Sequence, residues 1–258
     1  MPLIREPEVV QVYAPGMLNV RARIGLIIPS SNRLTEPQMR RYAPEGVEVH
    51  VTRLRMTGPS HVPLAELMPR VEEAVGALDD ARCDTIVFHC TASSMEAGLA
   101  GEKLVLDTMR RATSSQVATT ASAAQAAFEA LRVRRIVLLS PYIRATHEHE
   151  ITFLAEAGIE VVHDRALELD GSDAYIEMPP AEWLRLGEAE MRQDADAMFL
   201  SCTNIQSLPI VGELEERLGK PVVTSNQAVL WYALRLCGLE DQVAGLGRLM
   251  RLGVPALA

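Results

Sequence analysis

The sequence predicts an α/β protein built as two pseudo-symmetric parallel-sheet lobes, a duplicated βα unit with its site in the cleft between the copies. Two observations carry this prediction: strand-like segments recur at one constant spacing, and segments of helical period lie between them. Ile24-Gly-Leu-Ile-Ile-Pro29 returns as Ile136-Val-Leu-Leu-Ser-Pro141, Gly46-Val-Glu-Val as Gly158-Ile-Glu-Val, and Asp84 to Thr91 as Asp196 to Thr203. Every pair is 112 residues apart. A single apolar strand can match another by chance, but chance has no reason to hold one register from Ile24 to Thr91.

Taken in order, each copy reads strand, helix, strand, helix, strand, helix. The runs Ile24 to Ile28, Val47 to Val51 and Thr85 to Phe88, with their partners in the second copy, are short and rich in Ile and Val, as strands buried on both faces of a parallel sheet are. Leu67 to Leu78 and its counterpart Glu182 to Gln193 carry the helical period. Two further strand-like runs, Val117 to Thr119 and Val222 to Thr224, each follow one helix and precede another. Ligands of parallel sheets bind beyond the carboxyl ends of the strands. Pro29, Cys90, Pro141 and Cys202 all fall there.

Composition narrows the function. The chain has 258 residues, is 48% hydrophobic and 23% charged, and carries a formal net charge of -9. An acidic chain without a long Lys/Arg run is not built for nucleic acid. Arg132, Arg134 and Arg135 are the nearest approach to such a run, and a solvated loop before a strand accounts for them. No apolar run is long enough to span a bilayer. Glu6, Pro7, Glu8 and Pro15 fit neither a secretory nor a transit segment. Four cysteines in a chain of this length do not form a disulfide framework, so reduced thiols in a cytoplasmic protein are expected. No metal-ligand cluster and no Gly-rich nucleotide motif is present, so no cofactor is called for. Homo-oligomerisation is left open.

The chemistry sits on the two duplicated cysteines. Cys90 opens Cys-Thr-Ala-Ser-Ser and Cys202 opens Cys-Thr-Asn-Ile-Gln, small polar turns read as leading into helices. Backbone N–H groups and a helix N-terminus there are expected to lower a thiol pKa. The same N–H groups, with the hydroxyls of Thr91, Ser93 and Thr203, suit a carboxylate. Two thiols on opposite faces of one acid can add or remove a proton from one side and return it from the other. A lone strand-end cysteine is as readily an inert core residue; the repeat brings both to one cleft and tips the reading towards catalysis. Cys83 and Cys237 have no partner at the common spacing and read as structural. His89 is expected to pack away from Cys90, and His147 and His149 to lie on the surface.

These residues resemble the maleate isomerase and arylmalonate decarboxylase branch of the aspartate/glutamate racemase superfamily. The resemblance runs from Ile24 to Met250 and is carried by Ile28-Pro-Ser-Ser-Asn32, by Cys90 and Cys202, by Pro141-Tyr-Ile143 with Phe153-Leu-Ala-Glu156, and by Ser225 to Leu236. It implies a strand exchanged between lobes near Val117 and again near Val222. The domains would then be a tail at 1–23, a first lobe of 24–116 with 221–258, and a second lobe of 117–220. It also implies that Asn32 and Tyr142 hold a substrate carboxylate and that Thr91 contributes to a dioxyanion pocket, with Ser31, Ser93, Thr203 and Asn204 completing the substrate site. Two departures stand out: arylmalonate decarboxylases carry glycine at the position of Cys90, and maleate isomerases favour aliphatic residues where Thr91, Ala92, Ser93 and Ser94 follow it. Three functions remain: a maleate-type cis–trans isomerase, an arylmalonate-type decarboxylase or racemase using the thiols as acid and base, and a non-catalytic protein that binds a small carboxylate or dicarboxylate.

Overall fold

In the computed structural model, which describes residues 19–58 and 61–255, eight strands form two parallel sheets of four, ordered β2-β1-β3-β4 and β6-β5-β7-β8. The first sheet comprises β1 (Ala22–Pro29), β2 (Val47–Leu54), β3 (Thr85–Phe88) and β4 (Gln116–Thr119); the second comprises β5 (Arg135–Ser140), β6 (Glu160–Ala166), β7 (Ala197–Leu200) and β8 (Val222–Thr224). The helices are α1 (Thr35–Tyr42), α2 (Leu64–Asp80), α3 (Thr91–Met95), α4 (Gly98–Ala112), α5 (Thr120–Leu131), α6 (Arg144–Glu156), α7 (Gly171–Glu177), α8 (Pro180–Glu190), α9 (Val211–Leu218) and α10 (Ser225–Leu236). The repeat is visible in the pairing. Ile24 lies beside Thr85 in the first sheet as Ile136 lies beside Ala197 in the second. Gly46 and Gly158, which turn the chain into β2 and β6, both hold the left-handed conformation, with φ of 79° and 77°, where a Cβ is disfavoured.

Alternation along the strands assigns two faces to each sheet. Ile24, Leu26 and Ile28 of β1 and Ile136 and Leu138 of β5 point into one common core, filled by the buried faces of α5 and α10. Ile27, Ile86 and Phe88 turn to an outer cluster under α2, and Val137, Leu139 and Met198 to another containing Trp183 of α8 and Leu214 of α9. Both faces are therefore apolar, as parallel sheets require.

The strand exchange expected near Val117 and Val222 does not occur. β4 pairs with β3 and β8 with β7, so each sheet is made from its own half of the chain. The crossing elements are the helices that follow. α5 and α10 pack on each other, α10 also lies against β3 and β4, and α5 touches β8. A helix can leave its sheet because its hydrogen bonds are internal, whereas a strand needs a neighbour's edge. The lobe boundaries at 116/117 and 220/221 thus fall wrongly for β4 and β8. The expected tail ends sooner than residue 23, since β1 begins at Ala22; its residues 1–18 lie outside the described residues.

Candidate active site

A single cavity of about 620 Å³ opens at the carboxyl ends of both sheets and is lined by both Cys90 and Cys202. Of the other residues singled out from the sequence, Ser31, Asn32, Ser93, Tyr142, Thr203 and Asn204 line it as well. Thr91 does not. Its hydroxyl points back and donates to Ser225 Oγ at 2.8 Å, leaving the side chain wholly buried behind the cavity wall.

Cys90 is the N-cap of α3, with extended backbone, and is 5% exposed. Its thiol donates to Ser93 Oγ at 3.4 Å. Cys202 is 4% exposed and takes a φ of 139°, unusual for any residue other than glycine. Its turn runs to a 3-10 turn at Leu208–Ile210 and reaches α9 only at Val211. No helix N-terminus therefore sits on Cys202, contrary to the sequence expectation. The conformation is held by surrounding bonds: Cys202 N–H donates to Ser225 Oγ at 3.1 Å, and Asn204 N–H donates to Cys202 Sγ at 3.3 Å. Asn32 Nδ2 crosses between lobes to Thr203 Oγ1 at 2.9 Å, and Arg33 N–H donates to Asn204 Oδ1 at 2.9 Å.

The expectation of lowered thiol pKa values is corrected by burial. Desolvation raises Cys90, against the hydrogen bonds from Ser93, and pushes Cys202 up to about 12, against the Tyr142 hydroxyl and the Asn204 N–H. The polar turns supply donors, but the walls exclude the water that would stabilise a thiolate. Burial also raises Tyr142 well above the ordinary phenol, which keeps it a donor. Tyr175 meets Tyr142 edge to face, with ring centres 5.8 Å apart, and closes one side of the cavity. Asn204 Nδ2 is buried without a hydrogen-bond partner. Among the described residues that line the cavity there is no Arg or Lys; Glu96, Asp170, His61 and His149 are its ionisable groups besides the thiols and tyrosines.

His147 is fully buried rather than on the surface, with Ser140 Oγ 2.6 Å from its Nδ1, whereas His149 is exposed as expected and also lines the cavity. His89 does pack away from Cys90, between Thr120 Oγ1 at 3.0 Å and Asn226 Oδ1 at 2.8 Å. Glu150 is fully buried, accepts from Ser201 Oγ at 2.6 Å, and is raised to about 8 by desolvation. The constant spacing aligns Glu150 with Gln38 and Ser201 with His89. That alignment was the available signal, since unlike residues at equivalent buried positions mark where the halves have diverged. Cys237 Sγ lies 3.3 Å from Thr85 Oγ1, and Cys83 is buried against the opposite end of the first sheet from the cavity.

Two equivalent parallel-sheet lobes that present a thiol each to one shared cavity define an enzyme acting on a small molecule. The particular lineage follows from comparison with known proteins. The chain belongs to the arylmalonate decarboxylase family, whose model matches residues 24–250. It is 30% identical over 241 residues to a maleate isomerase of Pseudomonas putida KT2440, covering 88% of this chain and 96% of that one. Its structure is similar to that of a maleate isomerase from Pseudomonas putida S16, a Cys→Ala variant with maleate, at a TM-score of 0.83 and 26% identity over 89% of this chain and 97% of the other. A Nocardia farcinica maleate cis–trans isomerase, a Cys→Ser variant with a covalently bound succinylcysteine intermediate, is similar at a TM-score of 0.80 and 28% identity, covering 89% and 98%. Among the described residues no helix is long and apolar enough to cross a membrane.

Proposed function

We propose that the chain is a cofactor-independent cis–trans isomerase of maleate or a close cis-butenedioate, with Cys90 as nucleophile and Cys202 as acid and base. The observation that carries this reading is the presence of both thiols, from equivalent strand ends, in one cavity. Cys90, as thiolate, adds to one alkene carbon and forms a C–S bond. The electron pair moves towards the adjacent carboxylate, and the neighbouring carbon takes the proton of the Cys202 thiol. The central bond of the resulting succinyl-cysteine is single and rotates. Cys202 thiolate then removes the proton, the C–S bond breaks, and fumarate leaves with Cys90 again a thiolate. The succinylcysteine of the Nocardia farcinica relative supports this order.

The carboxylates are held by neutral donors: the Tyr142 hydroxyl, the Asn204 amide, the hydroxyls of Ser31 and Ser93, and turn N–H groups. Asn32 and Thr203, bonded to each other, fix the wall they stand on. Thr91 acts through Ser225 rather than on substrate. Four free cysteines support a reducing, cytoplasmic setting. The family's description favours a second reading, decarboxylation or racemisation at a carbon between two activating groups, with no adduct. Proton NMR of the protein with maleate separates them. Growth of the fumarate vinyl signal supports isomerisation; inert maleate together with solvent deuterium entering an arylmalonate-derived product overturns it.

A further inference from the structure

We infer that Ser225 and Asn226, the first two residues of α10, are positioning residues that fix the two thiol turns relative to one another. The inference rests on the two-thiol reading and concerns groups that do not line the cavity. Ser225 Oγ receives two donors, the Thr91 hydroxyl at 2.8 Å from the turn after Cys90 and the Cys202 N–H at 3.1 Å from the other lobe. Asn226 repeats the pattern one residue later. Its Oδ1 lies 2.8 Å from Nε2 of His89, the residue before Cys90, and its Nδ2 donates to the carbonyl of Thr203, the residue after Cys202, at 3.1 Å. The same Nδ2 donates to Gln38 Oε1, and Gln38 Nε2 donates to the Ile205 carbonyl at 3.0 Å. Two adjacent side chains thus tie both neighbours of Cys90, and the N–H of Cys202 together with the carbonyl of the residue after it.

The chemistry of these groups fixes their orientation. Burial lowers His89 to about 4, so it is neutral. An amide oxygen only accepts, so His89 carries its proton on Nε2, and Nδ1 accepts from the Thr120 hydroxyl. Asn226 Nδ2 must then face the Thr203 carbonyl, and no amide flip satisfies both partners. The helix that offers these side chains is itself anchored. Thr224 Oγ1 accepts from the Gln227 N–H, Gln227 Oε1 accepts from the Thr224 N–H, and Gln227 Nε2 donates to the Leu246 carbonyl. Cys202 also holds a disfavoured φ, which persists only where its surroundings over-determine it, and its one backbone donor ends on Ser225. Addition needs Cys90 alone, whereas complete turnover needs Cys202 at a set distance from the neighbouring carbon, whose proton it supplies and removes.

The test uses Ser225→Ala, which removes the shared acceptor, and Ser225→Thr, which retains a hydroxyl. Maleate turnover is measured with the alkylation rate of each thiol by iodoacetamide, followed by peptide mapping. We expect Ser225→Ala to lower kcat by about tenfold or more with KM within about twofold, and to speed alkylation of Cys202 by about threefold or more, as misplacement rather than lost binding would. Ser225→Thr should restore both. Unchanged kcat and alkylation in Ser225→Ala overturn the inference, as does a fall in kcat that Ser225→Thr fails to rescue. If the wild type leaves maleate untouched while Cys202 alkylation still responds to Ala and recovers with Thr, the isomerase reading fails and the positioning role stands. Asn226→Asp, which keeps the size and removes both N–H donors, should reproduce the kcat loss.

Discussion

At the scale of single residues, the thiols differ in what surrounds them. Cys90 has Ser93 beside it and the terminus of a short helix; Cys202 has a strained backbone, Tyr142 and the Asn204 N–H. Burial raises both, and Cys202 up to about 12, which suits a proton donor, while Cys90 must lose its proton before it can add. A raised thiol pKa means that the thiolate fraction grows as pH rises, so kcat/KM should climb through an alkaline limb with a slope near one, and Ser93→Ala should move that limb further up. A profile flat from neutral to alkaline pH would contradict this. Glu150 gives a second pH effect, on stability. Its folded pKa of about 8 lies above the ordinary carboxylate value of 4.5, so between those values the folded chain holds a proton that the unfolded chain has released. Stability contributed at this site is therefore full below the lower value, falls as pH rises through the window, and is lost above the upper one. Glu150→Gln keeps an acceptor for Ser201 without the titration. Thermal melts should place the variant level with wild type near about pH 5 and above it near about pH 8.5; an equal offset at both would show that Glu150 does not carry the proton.

At the scale of elements, helices α5 and α10 join what the sheets keep apart. Both begin with a capping box, Thr119 with Ser122 and Thr224 with Gln227, directly after the fourth strand of each sheet. Phe128 of α5 lies edge to face on Phe199 of β7, with ring centres 5.5 Å apart and both side chains fully buried. Phe128→Ala should cost about 3–5 kcal/mol in denaturant unfolding, because it opens a cavity where one half's helix meets the other half's sheet. A cost under about 1 kcal/mol would mean that the helix is not anchored there. This crossing is also where the sequence was hardest to read. β3 and β8 are found where their Ile and Val runs lie, and the cysteines come to one cavity because their strand ends are equivalent. Strand order could not be read, because Val117 to Thr119 is apolar enough for either sheet. Thr91 was misplaced because its hydroxyl points with the helix rather than with its neighbours, a rotamer choice set by Ser225, 134 residues away. His147 and Glu150 look like a charged helix face in Thr-His-Glu-His-Glu, yet α6 turns that side to the ends of β5 and β7.

At the scale of the whole molecule, two copies of one unit have become two halves of one site. Asn32, Arg33, Thr35 and Gln38 of the first copy all bond to Thr203, Asn204 or Ile205 of the second, and Ser225 and Asn226 of the second bond to Thr91 and His89 of the first, so each half completes the other's cysteine turn. Divergence lies mainly behind the thiols, where His89 and Gln38 face Asn226 in one half and Ser201 faces Glu150 in the other. On this basis equivalent thiols take unequal roles, one forming the carbon–sulfur bond and the other moving the proton. Intact-mass and peptide mass spectrometry of Cys202→Ser after incubation with maleate tests that claim most directly. The account predicts a gain of one substrate mass on Cys90, because addition proceeds while the group that completes turnover is missing, and none in Cys90→Ser. An adduct in neither variant, or one on Cys202 of Cys90→Ser, would contradict it.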